Sequence, residues 1–446
     1  MYRMIERSSS RWVSSSIKNP LSTWFPLTPI DIHMPLIHSP LVLAFSSPVP
    51  EGFVADLERA IQQVLCHYRD LAGRIRRNES GKLGIYLNDQ DEDCGVLWIE
   101  ASTQETLQGF SDQDLAKLHE LTPMASQDPV NMGIPLLLQI TRFGCGGIAL
   151  GFGVNHRVVD CNALPEFLLD LAKLTRGERS IEELLSGQPI DRSCMMPRRP
   201  PRPSFDHSDY TTNIITMLSS DEAKSIVTRT IHFTRERLAL LKSECNKGRS
   251  NQPFSTYVSL SAYLWKSITA AREVNVQSKT IILCPVNGRR GLALPAHFFG
   301  NAVFRRCACA TVCDILAMPL GDLASLIAAG LESLSQEDYL RSVVDFLALK
   351  QQHEDQQRSS PQAEEIPRFS FDPNLIITSW ARLPFYELDF GFGRPVLATP
   401  TEGPCEGYVR VVPSSNGDGG LAVVPTLRNA HMDKLVYSIF NDNKDG

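Results

Sequence analysis

Two short constellations carry reactive groups at spacings that chemistry can use. The first is His156-Arg157-Val158-Val159-Asp160, an imidazole and a carboxylate three residues apart. Acyl transfer to an alcohol needs a base active near neutral pH, one that takes the hydroxyl proton and later returns it to the leaving thiolate. Imidazole meets both demands. The second is Asp389-Phe390-Gly391-Phe392-Gly393-Arg394-Pro395, where Gly391 and Gly393 bracket an aromatic and a proline follows a basic residue, a pattern that specifies a fixed turn. Read on spacing alone, the first segment also fits a plain His/Asp pair. Asp389 reads as architecture, pairing with an arginine such as Arg289.

The elements around His156 give it a place. Leu136–Phe143 and Ile148–Val154 read as two apolar strands joined by Gly144-Cys145-Gly146-Gly147, a hairpin. In the second strand Ile148, Leu150, Phe152 and Val154 share one face. The small set Ala149, Gly151, Gly153 and Asn155 shares the other and is expected to leave space beside it. A helix is expected from Asn162, with Asn162 as N-cap and Pro165 in the first turn. His156 to Asp160 therefore occupies the strand-to-helix connection, and Asp160 is expected to hold that loop.

Further along the chain, helical periodicity appears over Gly52–Tyr68, Thr103–Leu118, from Leu238 and over Ser255–Arg272. Strands are expected near Ile231 and at Thr280–Pro285, Val303–Ala310, Asn374–Thr378, Val409–Val412 and Leu421–Pro425. The proline cluster Pro197, Pro200, Pro201 and Pro203 suits an extended connector. Polar Gln351–Glu365 reads as a mobile surface loop. A chain of 446 residues exceeds one ordinary core, so the expected division is 1–190, a connector over 191–225, and 226–446.

Composition excludes several classes. With 43% hydrophobic and 21% charged residues, and no apolar run near the ~20 residues that span a bilayer, the chain reads as a soluble globular protein without a membrane partner. A net charge of -6 offers no broad basic field for nucleic acid. Eleven cysteines without framework spacing fit a reducing cytoplasm. Cys307, Cys309 and Cys313 lack a second ligand pair, so no metal is expected. No Gly-x-Ser-x-Gly elbow supports a serine hydrolase.

The order and spacing of both motifs resemble the BAHD acyltransferases, the coenzyme A-dependent family with His-x3-Asp near the middle and Asp-Phe-Gly-Trp-Gly near the C-terminus; Phe392 stands for the usual tryptophan. Further matches run through Leu27–Asp31, His67–Arg74, Phe299–Val303 and Thr378–Pro384. The nearest likeness is to plant-type hydroxycinnamoyl-CoA shikimate or quinate transferases, with Phe392 and Cys161 suggesting a divergent or fungal branch. The resemblance implies an α/β fold like that of chloramphenicol acetyltransferase: two similar mixed-sheet domains joined by a long crossover, with a channel between them.

It further implies His156 as general base, with Asp160, Asp389, Gly391, Gly393 and Arg289 holding the frame. Thr378 and Trp380, with His38, are expected at the substrate and oxyanion; one such donor is worth about 3 kcal/mol of barrier. Ser255, Thr256, Lys266 and Arg290 are expected to contact coenzyme A. No tightly bound cofactor is implied: acyl-CoA is a co-substrate, a small specialised metabolite the acceptor, through a hydroxyl in preference to an amine, and the protein a monomer. Glu365 stands where those transferases carry an acceptor-carboxylate arginine, which disfavours shikimate or quinate unless Arg368 substitutes. Two rivals keep the fold: a catalytically silent scaffold, and a condensation-type enzyme taking its acyl group from a carrier protein. The latter usually has a second histidine where Asn155 stands.

Overall fold

The structure is a computed structural model that describes residues 5–46, 48–123, 133–212, 214–249, 252–357, 369–403 and 405–441. The expected hairpin forms as Leu136–Phe143 and Ile148–Asn155. Gly146 takes the positive φ of 83° that its reversal requires. These strands lie inside a six-stranded sheet, flanked by Val96–Thr103 on one side and His38–Phe45 on the other. The small-residue face leaves no space at Gly151. A Cβ there would lie 2.0 Å from the carbonyl oxygen of Leu121, so the glycine admits a backbone rather than a cavity.

The second sheet has seven strands. Lys279–Asn287 is its pivot, antiparallel to Val303–Thr311 and parallel to Leu375–Ser379, which in turn runs parallel to Tyr408–Pro413. All five strand expectations after residue 279 hold to within a few residues. Each sheet carries its own core. The first is built around Trp98, Phe152 and Phe167, the second around Trp265, Ile282 and Val423.

The two units exchange chain. Leu397–Thr399, deep in the C-terminal half, pairs antiparallel with Val42–Ala44 at the edge of the first sheet. Trp380, Phe385, Leu388 and Phe390 also belong to the first core. The 191–225 segment has little regular structure but is pinned. The buried Asp345 carboxylate, on the Glu337–Gln357 helix, accepts from the Arg198 and Arg202 amides at 2.8 and 2.7 Å.

Three local expectations change. The periodic Thr103–Leu118 stretch yields only short turns at Leu107–Gly109 and Leu115–His119, because Ser111, Asp112 and Asp114 favour turn and cap positions over helix interiors. Residues 351–357 continue a long helix; the rest of the expected mobile loop, with Glu365 and Arg368, lies outside the described residues. The helix after the histidine motif spans Leu164–Thr175 with Ala163 at its cap position, so Asn162 is not the cap. No helix among the described residues is long and apolar enough to cross a membrane.

Candidate active site

His156 follows the last residue of its strand, and its main chain is fixed on both sides. Its N–H donates to the Ile37 carbonyl at 2.8 Å, and its carbonyl accepts from Asn301 Nδ2 at 2.8 Å. Asn301 is itself anchored: its backbone N–H and Nδ2 donate to Asp31 Oδ1 at 3.1 and 2.8 Å. Asp31 also caps its own short helix and receives Arg192 at 3.0 Å. A buried clamp thus joins residue 31 and residue 301 to the histidine's main chain. The His156 ring is half-exposed, with Nδ1 buried and without a protein partner. Nothing among the described residues hydrogen-bonds the ring.

Asp160 does not touch that ring, because both its oxygens are spent. Oδ1 accepts from the Asn162 and Ala163 amides at 2.9 and 3.1 Å, fixing the turn that leads into the Leu164–Thr175 helix. Oδ2 accepts from Arg289 Nη1 and the Ala302 amide, each at 2.9 Å. Arg289 also donates to the Gly300 carbonyl at 2.9 Å. The motif carboxylate therefore sews the first sheet's connection to the second sheet's Gly300–Ala302 turn. This corrects the partner expected for Arg289, which is Asp160 and not Asp389.

Asp389 makes its contacts away from His156. Its Oδ1 accepts from the Gly391 and Gly393 amides at 2.7 and 3.1 Å, while Arg176 donates to its carbonyl. Both glycines have φ above 100°, where a side chain is strained. Phe392 packs edge-on against Phe53 and Phe45 with centroids 4.7 and 5.2 Å apart, filling the aromatic role expected of it. Partial burial alone would raise the Asp389 pKa, but the Gly391 and Gly393 amides and the nearby Arg176 bring it below the usual 3.8. A depressed carboxylate stabilises the fold above its unfolded pKa and loses that contribution as pH falls through the folded one. Asp389→Asn is thus expected to cost about 1 kcal/mol near neutral pH. In paired denaturant titrations the difference from wild type should close as pH drops below 3.8.

A cavity of about 200 Å³ opens beside His156 and is walled by both sheets. Thr378 and Trp380 line it; Trp380 is also packing, edge-on to Phe385 at 5.9 Å. His38 lines it too, but not as an oxyanion donor. Burial drives its pKa down to about 4 despite the Ile134 contact, so the ring is neutral. Its one N–H is spent on the Ile134 carbonyl at 2.7 Å, which leaves only an acceptor.

None of Ser255, Thr256, Lys266 and Arg290 lines this cavity. Ser255 caps the Thr256–Arg272 helix, accepting from the Val258 amide at 3.2 Å, and Arg290 is exposed. Lys266 donates to the Met318 carbonyl at 2.6 Å, closing the C-terminal end of the Val312–Ala317 helix, so it is not free for a phosphate. Among the described residues, Asp372, Glu406 and His431 draw close enough to suggest a metal site. Arg272 already bridges them, 2.7 Å from Glu406 and 3.6 Å from Asp372, which makes the group an ion-pair network.

Two mixed sheets sharing one cavity, with a strand-end histidine opening into it, define a two-unit α/β acyltransferase. Residues 3–440 match the Transferase family, and the chain belongs to it, the BAHD acyltransferases. It is 31% identical to Hydroxycinnamoyltransferase 1 of Oryza sativa subsp. japonica, over 92% of this chain and 94% of that one. It is also 31% identical to Agmatine hydroxycinnamoyltransferase 1 of the same plant, over 88% of each. In fold it is similar to F. sporotrichioides TRI101 complexed with coenzyme A and T-2, with TM-score 0.73, 21% identity and coverage of 93% and 97%.

Proposed function

We propose that the chain transfers an acyl group from coenzyme A to a hydroxyl of a small acceptor, with His156 as general base. In a ternary complex the imidazole takes the hydroxyl proton as the oxygen attacks the thioester carbonyl. The tetrahedral intermediate collapses, the C–S bond breaks, and the proton returns to the departing thiolate. Thr378, which lines the cavity and makes no side-chain hydrogen bond among the described residues, is the donor this reading assigns to the oxyanion. Aromatic walls, with Phe369, Phe371 and Tyr408 beside Trp380, suit a hydroxycinnamoyl donor of the kind the relatives' names give. The N-terminus of the Thr256–Arg272 helix with Ser255 and Thr256, and the exposed Arg290, are the groups this reading leaves for coenzyme A phosphates.

One observation carries the choice of hydroxyl over amine. Among the described residues lining the cavity the single carboxylate is Asp160, and both its oxygens are engaged, while Arg305 and Arg410 bring positive charge. A cationic amine of the agmatine kind finds no counter-ion there. The test is thiol release from a panel of acyl-CoAs, each offered matched alcohol and amine acceptors of one carbon skeleton. Turnover with the alcohol and little with the amine is expected. The reverse order would reject the hydroxyl assignment, and silence with every donor would favour the scaffold or the carrier-dependent rival.

A further inference from the structure

Four arginines are buried among the described residues: Arg74, Arg192, Arg272 and Arg410. Three have a carboxylate in reach. Arg74 lies 3.3 Å from Asp93, Arg192 contacts Asp31 and Asp70, and Arg272 is 2.7 Å from Glu406. This is what burial demands, since an uncompensated guanidinium in the interior is strongly destabilising. Arg410 is the most buried of the four, at 2% exposure, and has no carboxylate within 4.0 Å among the described residues. Its Nη2 donates to the Thr401 carbonyl, and its buried Nε has no partner. Glu402 acts on it only through its field.

The position of Arg410 says what the missing counter-ion serves. It lies directly opposite Thr378 in the parallel register of Leu375–Ser379 and Tyr408–Pro413. On the other side of Thr378's strand, the Lys279–Asn287 strand pairs with it at Ile282 and Leu283 and carries Pro285 opposite Arg305. Arg305 and Arg410 thus lie on strands to either side of the one that carries Thr378. Both side chains line the cavity, and Arg305, stacked 4.9 Å over Tyr210, also has a buried Nε without a partner. On the facing wall the field of Arg410 reaches Cys161, the residue after Asp160, so the guanidinium stands by the histidine's own loop.

We propose that Arg410 is the carboxylate-recognition residue of this cavity: one of the two substrates carries a carboxylate that forms a bidentate pair with its guanidinium, with Arg305 adding charge elsewhere on the same lining. The planar fork of arginine matches a carboxylate through two parallel hydrogen bonds, and both are strong where water is excluded. Coenzyme A's own phosphates do not answer the need, because the pantetheine arm keeps them far from the thioester whereas Arg410 shares a row with Thr378. The carboxylate belongs either to the acceptor, a hydroxy acid, or to the acyl group, a dicarboxylic half-thioester. The inference rests on the proposed function only in taking this cavity as the reaction chamber.

The test measures binding to the full chain by calorimetry, which needs no turnover and so stands apart from the role of His156. Cinnamate is compared with the near-isosteric cinnamamide in the presence of saturating free coenzyme A, and malonyl-CoA with acetyl-CoA. If the carboxylate is the acceptor's, cinnamate binds about tenfold or more tightly than the amide, the scale of a well-formed charge-assisted pair. If it is the acyl group's, the same preference appears for malonyl-CoA. In either case Arg410→Met abolishes the preference while leaving cinnamamide or acetyl-CoA affinity in place, and Arg410→Lys keeps part of it. Equal affinities within both pairs in the wild type overturn the proposal whether or not Arg410→Met folds. A preference that persists undiminished in Arg410→Met or Arg410→Lys overturns the assignment to Arg410. His156→Ala is expected to retain the preference, so loss of turnover in that variant leaves this result untouched.

Discussion

His156→Ala is expected to lower kcat by about 10²–10⁴, the range that a positioned general base contributes, with a fold and thermal midpoint close to wild type. The two halves of that expectation come from different atoms. The loss of rate would come from the ring, proposed as the base, which opens into the shared cavity. Position lives on the main chain, whose N–H donates to Ile37 and whose carbonyl accepts from Asn301. Alanine keeps both backbone bonds. The ring makes no protein hydrogen bond among the described residues, so its removal orphans no buried donor or acceptor, and the usual penalty for truncating a buried polar side chain does not arise. Single-turnover thiol release, with circular dichroism on the same preparation, separates the two effects. Near-normal rates in a folded variant would remove His156 from the chemistry.

The parts of this molecule that were legible in the sequence are those with local signatures. The hairpin over 136–155 announced itself through apolar alternation and a glycine-rich reversal, and the helix after the histidine through its stripe and Pro165. The Asp389 turn was legible because Gly391 and Gly393 must adopt positive φ. What escaped the sequence is the long-range stitching. Arg289 finds Asp160 across 129 residues, the Ala302 amide finds it across 142, and Asn301 finds Asp31 across 270. No periodicity encodes such pairs. Phe299–Val303 and Leu27–Asp31 stood out as family-like stretches, yet nothing local says that one clamps the other. Arg410 escaped for a related reason. In sequence it is an ordinary basic residue in an apolar strand, and only its own burial, without the nearby carboxylate that Arg74, Arg192 and Arg272 have, makes it conspicuous.

That stitching makes Asp160 the most sensitive structural position near the site. Asp160→Ala strips the carboxylate partner from Arg289, orphans the Ala302 amide, and releases the Asn162 and Ala163 amides of the turn before the Leu164–Thr175 helix. Breaking a buried ion pair by removing one member costs about 3–5 kcal/mol, and loss of the turn's hydrogen bonds adds about 1. Against a net stability of roughly 5–15 kcal/mol this is enough to unfold much of the population or turn expression toward aggregates. Asp160→Asn separates structure from chemistry. Its amide oxygen still serves the helix start, but its neutral head no longer compensates Arg289, so an intermediate loss of stability is expected. If Asp160 acts only through the frame, activity in Asp160→Asn follows the folded fraction and recovers as temperature is lowered. A variant with wild-type melting behaviour and a kcat reduced a hundredfold would instead place the carboxylate in the proton transfer. The geometry argues against that outcome, since the oxygen that would have to reach His156 is already held by Arg289 and Ala302 at 2.9 Å each.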